Sequence, residues 1–412
     1  MDSFYYKSGE LHCEDVNLSE VADQFNTPAY VYSKEKIKLN AKAYVESFKG
    51  KGNLACFSVK SLNNISILRI IKDSGCGFDI VSGGELHRVL SVGADPKTII
   101  FSGVGKSKDE IKKGILNKIL SFNVESASEL YNIEEVAKEL SMIAPVSIRF
   151  NPDIDSGGHD YITTGRKGDK FGITSKEEII NLSKHIASSD ELQMVGLACH
   201  IGSQILELES FKETAKKTIE LADDLIEIDI HLDFLDLGGG LGVSYSDETT
   251  PSPQDLVSCL EEEFRDRKER LILEPGRSIS ANAGILLTKI EYIKDNFLIV
   301  DAAMNDLLRP ALYKAEHGAC NIKEKSKNNQ IWNIVGPICE SSDFLGKNIT
   351  IDADEGDILA IRTVGAYGFV MSSNYNARPR ACEILIDSSN ASLIRKRETY
   401  NDLLKAEIDI ND

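Results

Sequence analysis

The chain's 412 residues are enough for two domains, one of which could be a barrel of about 250 residues. Hydrophobic residues make up 42% and charged residues 27%, and no stretch approaches the roughly 18 apolar residues of a membrane-spanning helix, so the composition predicts a soluble globular protein. Lys plus Arg number 47 against 65 Asp plus Glu, a net charge of -18 that argues against nucleic acid or an anionic membrane surface as partner and suits a small-molecule substrate better.

The first residues, Met1 to Lys7, show no basic stretch followed by an apolar one, and the expectation is a cytoplasmic protein. The eight cysteines (Cys13, Cys56, Cys76, Cys199, Cys259, Cys320, Cys339 and Cys382) are scattered, with no Cys-x-x-Cys pair. That spacing suggests neither a zinc site nor a disulfide framework, so most are expected to be reduced and buried, and no metal is expected.

In chain order, the first thirty residues read as a polar preamble with a short helix near Leu18 to Phe25 and a strand at Ala29 to Tyr32. Strand-like runs then recur at 54–59, 78–81, 99–102, 120–124, 146–150, 194–199, 234–237 and 271–274. Between them lie helical patterns. Ala127 to Leu140 places Leu130, Ile133, Val136, Ala137 and Leu140 on one face, and Ser175 to Ile186 opens with a Ser-x-x-Glu capping pattern. Strands alternating with helices over about 230 residues predict an α/β fold, a (β/α)8 TIM-type barrel, with a doubly wound open sheet as the alternative. From about Ala283 the rhythm changes to β-type runs at 285–293, 297–300, 330–335, 348–351 and 381–386, with a polar loop at 323–329. The expected division is an N-terminal segment 1–32 packing with the C-terminal domain, a barrel over 33–282, and a second, mostly β domain over 283–412.

In a barrel the reactive residues sit where strands end at their C-terminal side. Lys60 follows the first run, Asp79 lies in the second, Arg149 and Asn151 end the fifth, His200-Ile-Gly-Ser203 follows the sixth, Gly238-Gly239-Gly240 follows the seventh, and Glu274-Pro-Gly-Arg277 ends the eighth. Each has a plain reading: a solvated lysine, a core histidine, a tight glycine turn, a Glu274–Arg277 ion pair. Asp79, His200 and Asp236 could suit a metal-binding barrel, yet their spacing has no ligand motif. Together they have a coherent chemistry. An amine able to form a Schiff base, a flat aromatic ring, a carboxylate to keep a pyridine nitrogen protonated and bare backbone N–H groups for a phosphate are what pyridoxal 5'-phosphate requires.

These residues resemble the diaminopimelate decarboxylase family of fold-type-III pyridoxal phosphate enzymes over nearly the whole chain. The resemblance rests on Phe57-Ser-Val-Lys60, Phe78 to Glu85, His200 to Gln204, Leu237-Gly-Gly-Gly240, Glu274-Pro-Gly-Arg277, Met304 to Tyr313, Cys339-Glu-Ser-Ser-Asp343 and Gly365-Ala-Tyr-Gly368. It implies decarboxylation of meso-2,6-diaminopimelate to L-lysine and CO2, the last step of lysine biosynthesis by the diaminopimelate pathway. Lys60, His200 and Cys339 would be catalytic, with Lys60 holding the cofactor, His200 stacking on its ring and Cys339 giving a proton. Cofactor binding would involve Lys60, Asp79, His200, Ser203, Gly239, Gly240, Glu274, Gly276, Arg277 and Tyr367, with Glu274 on the pyridine nitrogen. Substrate binding would fall to Arg277, Arg309, Tyr313, Glu340 and Tyr367. Cys339 and Glu340 would reach in from a second subunit, giving a homodimer with shared sites.

The departures are small: the lysine motif reads Phe57-Ser-Val-Lys-Ser-Leu62 where tyrosine, alanine and asparagine are often seen in relatives, and Lys60 itself is intact. Among rivals, Arg277 speaks against decarboxylases of ornithine, arginine or carboxynorspermidine, because a cation there repels a terminal amine. Glu274 speaks against an alanine-type racemase, since a protonated ring nitrogen favours carbanion chemistry. A non-catalytic relative would be expected to lose Lys60, Glu274 or Cys339, and all three are present.

Overall fold

A computed structural model describes residues 3–49, 52–154, 168, 170–246, 248–325 and 328–408. Ser326 and Lys327 of the polar loop expected at 323–329 lie outside the described residues. The chain forms two compact units, Asn40–Val243 with Thr249–Ile279, and Met1–Leu39 with Ser244–Glu248 and Ser280–Asp412.

The first of these holds eight parallel strands, Leu54–Ser58, Gly77–Ile80, Ile99–Phe101, Ser121–Val124, Ala144–Arg149, Leu192–Ala198, Phe234–Asp236 and Arg270–Leu273. They close into a barrel where Ile272 and Leu273 of the eighth lie opposite Leu54 and Ala55 of the first. The expected barrel is therefore correct, and the open sheet is not formed. The strands are mostly apolar because a parallel strand in a barrel is buried on both faces, with polar residues such as Asp79, Asn123, Arg149 and Asp236 falling near their C-terminal ends. Cys56, Ile100, Val195, Phe234 and Ile272, with Leu54 and Leu120 beside them, pack together as a core cluster. Above this apolar plug the strand ends turn polar.

Helix starts follow a local rule. Ser82, Ser107, Ser126 and Ser175 each accept a backbone N–H from the glutamate three residues on, at Glu85, Glu110, Glu129 and Glu178, which fills one of the orphan donors of the first turn. Helix Ala127–Leu140 buries Leu130, Ile133, Val136 and Ala137 as its periodicity requires.

In the other unit, the central strand Gly284–Lys294 pairs with Ala29–Ser33, Phe297–Val300 and Ile358–Ile361, all antiparallel, while Cys382–Asp387 runs parallel to Ala29–Ser33. Its core joins Phe4, Leu11, Leu18, Val31, Ile285, Leu287, Ile384 and Ile386. The expected polar preamble is a correction: Phe4–Lys7, Glu10–Cys13 and Val16–Asn17 form a three-stranded antiparallel sheet. Strands of two to four residues are too short to show a period. Ala319–Asn321, Ile358–Ile361 and Asn390–Arg395 are also strands that the sequence reading omitted.

Candidate active site

Lys60 lies just past the first barrel strand, in the 3-10 turn Val59–Ser61. Its Nζ donates to Asp79 Oδ2 at 2.6 Å, and Ser58 Oγ donates to the same oxygen at 2.9 Å. The register explains the meeting, because Ser58 and Asp79 face each other across the first and second strands. Asp79 is fully buried, and its Oδ1 has no hydrogen-bond partner among the described residues. Burial pushes this carboxyl up, but the Lys60 ammonium and the hydrogen bonds from Lys60 and Ser58 outweigh it and hold Asp79 below the usual carboxylate range.

Glu274 follows the eighth strand and is 7% exposed. Burial, then the neighbouring Asp236 and Asp79 carboxyls, push its pKa well above normal. Asp236, the last residue of the seventh strand, is raised to about 6 by burial, which the Gly238 N–H and a hydrogen bond with Glu274 partly offset. Three carboxyls and one ammonium thus share the end of the barrel.

The glycine triplet is required by crowding. A Cβ on Gly239 would lie 2.1 Å from the Glu274 carbonyl oxygen, and one on Gly240, at φ +121°, 2.5 Å from the Gly202 carbonyl oxygen. Gly239 N–H donates to His200 Nδ1 at 3.1 Å, so the imidazole accepts through Nδ1. His200 keeps part of its surface open, yet the barrel atoms enclosing its ring, then the Arg149 and Lys60 cations, lower its pKa to about 3. It is a flat, neutral ring at physiological pH.

Because the folded His200 resists protonation, the unfolded chain binds the extra proton between the usual histidine range and about 3. The resulting stability is complete above about pH 6.5 and is lost as pH falls below it. Urea unfolding of the cofactor-free protein at pH 7 and pH 5 is expected to show a loss of about 1–2 kcal/mol that His200→Asn lacks, the partial exposure keeping the figure small. An equal loss in the variant would refute the assignment.

Arg277 opens the short helix Arg277–Ser280 and donates through Nε and Nη2 to Ser203 Oγ at 3.2 and 2.9 Å, a hydrogen bond that the plain Glu274–Arg277 reading did not foresee. Gly276 brings its backbone so close to Ser58 and Ser61 that a Cβ would meet them at 3.0 and 3.1 Å. Arg149 pairs with Glu125 at 2.7 Å, and Asn151 donates to the Phe171 carbonyl. Lys60, Asp79, His200, Ser203, Gly239, Gly240, Glu274, Gly276 and Arg277 all belong to this barrel unit.

The remaining candidates belong to the other unit. Arg309 Nη1 donates to His317 Nε2 at 2.9 Å while its guanidinium lies 4.8 Å from the Tyr245 ring centroid. His317 Nδ1 in turn donates to the Arg362 carbonyl at 3.0 Å, which fixes the tautomer that accepts from Arg309. Tyr313 ends the short helix Arg309–Tyr313, and Tyr367 is half-buried with a left-handed backbone at φ 55°. Cys339 is an exposed free thiol whose backbone N–H donates to Asn376 Oδ1 at 3.3 Å. Glu340 is exposed and accepts from the Tyr375 hydroxyl. Asp343 anchors this loop by accepting from Met304 N–H at 2.7 Å and Ile338 N–H at 2.9 Å. Ser58, Ser102, Asn123, Tyr245, His317, Tyr375 and Asn376 were missed by sequence reading; serines and asparagines this common carry no spacing signal.

The pyridoxal-binding domain of pyridoxal-dependent decarboxylases matches residues 34–281. The diaminopimelate decarboxylase of Pseudomonas aeruginosa is 46% identical over 99% of both chains. Among solved structures, diaminopimelate decarboxylase from Helicobacter pylori complexed with L-lysine is 42% identical with a TM-score of 0.92, over 95% of this chain and 99% of that one. The M. jannaschii enzyme in co-complex with L-lysine is 38% identical with a TM-score of 0.95, over 100% of this chain and 98% of that one. The barrel residues fit the pyridoxal cofactor: Asp79 Oδ1 is a buried acceptor with no partner among the described residues, and Glu274 is a buried carboxyl crowded by like charges that a protonated ring nitrogen would relieve. In sequence, fold and donor set alike, the chain belongs to the diaminopimelate decarboxylase family of pyridoxal phosphate-dependent enzymes.

Proposed function

We propose that this enzyme decarboxylates meso-2,6-diaminopimelate to L-lysine and CO2, with Lys60, Asp79, His200 and Glu274 serving the cofactor and the arginines serving the substrate. The observation that carries the assignment is the meeting of Lys60, Asp79 and Glu274 at the ends of three adjacent strands, the eighth, first and second, beside the glycine turn.

Pyridoxal phosphate, when bound, supplies the electron sink that accepts the pair of electrons left behind by departing CO2. Lys60 holds the cofactor through Nζ and moves protons at that atom, with Asp79 orienting the amine. Glu274 keeps the ring nitrogen protonated. His200, neutral and held by the Gly239 N–H, offers a flat face against the ring. Ser203, Gly239, Gly240, Gly276 and Tyr367 serve the phosphate.

Arg277 and Arg309 bind the distal carboxylate, the group that a simple diamine precursor lacks; guanidinium suits it because its planar donors match a carboxylate in pairs. Tyr313 and Tyr367 line the same substrate, and Glu340 binds the distal ammonium. Cys339 returns a proton to the carbon that lost CO2. Cys339 and Glu340 are exposed in the single chain, which supports a homodimer in which they complete the partner's site. A cytoplasmic setting belongs to the same proposal; among the described residues no helix is long and apolar enough to cross a membrane.

The Tyr375 hydroxyl donates to Glu340 and fixes the orientation of its carboxyl group, so Tyr375→Phe is expected to raise KM for diaminopimelate about three- to tenfold with kcat nearly unchanged. A change in kcat without KM would refute that role. The reaction itself is tested by CO2 release from the cofactor-loaded protein, with diaminopimelate, ornithine, arginine and carboxynorspermidine compared in parallel. Release from diaminopimelate alone is expected. Turnover of ornithine or arginine instead would overturn the roles of Arg277 and Arg309.

A further inference from the structure

The C-terminal end of the barrel contains a closed ring of four polar side chains from four strand ends. Ser102 Oγ donates to Glu274 Oε1 at 3.5 Å, Asn123 Nδ2 donates to Ser102 Oγ at 3.1 Å and to Asp236 Oδ2 at 3.5 Å, and Asp236 and Glu274 hydrogen-bond to each other. Asn123 is oriented by Ser147, whose Oγ donates to its Oδ1, so its amide N–H groups face the ring. The ring is dry: Asp236 is 0% exposed, Asn123 2%, Ser102 5% and Glu274 7%.

Two carboxylates cannot hydrogen-bond without a proton between them. Asp236 is surrounded by donors, since Oδ1 accepts the Gly238 N–H at 2.9 Å and Oδ2 faces Asn123, so the link to Glu274 must carry a proton belonging to the pair itself. The charged and titratable groups facing this pair are Asp79 and Lys60, with Cys56 and Cys199 beside Asp236 and Glu274. Ionising both carboxyls would place a third anion beside Asp79 with Lys60 as their shared cation, and the pair therefore keeps one proton and one negative charge.

We propose that Asp236 is a positioning residue that works as a neutral acid, donating the pair's single proton to Glu274 so that Glu274 meets the cofactor's ring nitrogen as a carboxylate held in one orientation. This rests on the reading of Glu274 given above. Without a cation against Glu274 the two buried carboxyls share the one proton; a cationic ring nitrogen draws the negative charge to Glu274, and the proton then rests on Asp236. No other proton or electron is needed.

Asp236→Asn keeps the size and an N–H donor but has no charge to gain, whereas Asp236→Ala removes the donor. In the holoenzyme, Asp236→Asn is expected to hold cofactor affinity within about threefold of the parent, and Asp236→Ala to weaken it by about tenfold or more. Infrared spectra of the parent holoenzyme should contain a protonated-carboxyl C=O band that disappears in Asp236→Asn, a signature a merely structural aspartate would not give. If the alanine variant fails to fold, the asparagine variant and the band decide alone. An asparagine variant ten times or more weaker in cofactor binding, or a band that persists in it, would overturn the proposal. So would an alanine variant that binds as the parent does. Should Glu274→Gln leave kcat untouched, the reading of Glu274 fails by itself, which separates the two claims.

Discussion

Replacing Lys60 by alanine is expected to lower kcat for diaminopimelate by at least about 10³-fold, because one amine both holds the cofactor and moves protons there, and general acid–base groups alone account for about 10²–10⁴. CO2 release from cofactor-saturated protein measures the loss. A second consequence is specific to this geometry. Asp79 is fully buried and has Lys60 Nζ at 2.6 Å, while its Oδ1 has no hydrogen-bond partner among the described residues. Removing the cation strands a buried carboxylate, a change that costs about 3–5 kcal/mol in a fully buried pair. Here the Lys60 side chain is 36% exposed, which reduces the expected loss to about 1–3 kcal/mol in the cofactor-free protein.

The pH dependence follows by sign. With Lys60 present the folded Asp79 is held below the usual carboxylate range, so its contribution is complete above that range and lost as pH falls. Without Lys60, burial dominates, the folded carboxyl rises, and stability falls as pH climbs. Adding Asp79→Asn to Lys60→Ala is expected to restore stability without restoring activity. A Lys60→Ala enzyme with normal turnover would remove lysine from the mechanism. A double variant no more stable than the single one would remove Asp79 as the source of the instability.

The barrel was legible because a parallel strand buried on both faces must be a mostly apolar run, and Leu54–Ser58 or Arg270–Leu273 cannot hide that. The sheet Phe4–Lys7, Glu10–Cys13 and Val16–Asn17 was not: its strands are too short for a period, and Tyr5, Tyr6 and Lys7 face solvent. The strand Asn390–Arg395 escaped because none of its six residues is buried, so it has no inward face to read. Within the site, the residues that end strands could be read from position alone, as Lys60 and Glu274 were. What orients them could not. Ser58 reaches Asp79 across two strands, His317 holds Arg309 from a separate turn, and Tyr375 meets Glu340 across 35 residues of chain. Such contacts depend on packing distant in sequence, and neither serine nor tyrosine announces them.

Glu274→Gln is the second large effect, with kcat expected to fall by about 10²–10³-fold, the scale of losing one preorganised electrostatic group in a water-poor site. Glutamine has nearly the same shape and can still meet a ring nitrogen, but it offers no charge to keep that nitrogen protonated, and the electron sink weakens as the carbanion forms. Stability should move the other way. A carboxyl whose folded pKa lies above its unfolded value holds a proton that the unfolded chain has already released, so the folded state loses stability as pH rises through that interval. Removing the ionisable group abolishes the penalty and relieves its crowding against Asp236 and Asp79. At neutral pH, cofactor-free Glu274→Gln is therefore expected to unfold at a higher temperature than the parent while turning over far more slowly once loaded with cofactor. The opposed directions matter, since general damage to the barrel would lower both. A variant less stable than the parent would mean that Glu274 is ionised and well paired in the cofactor-free fold, and unchanged kcat would mean that the ring nitrogen has another partner.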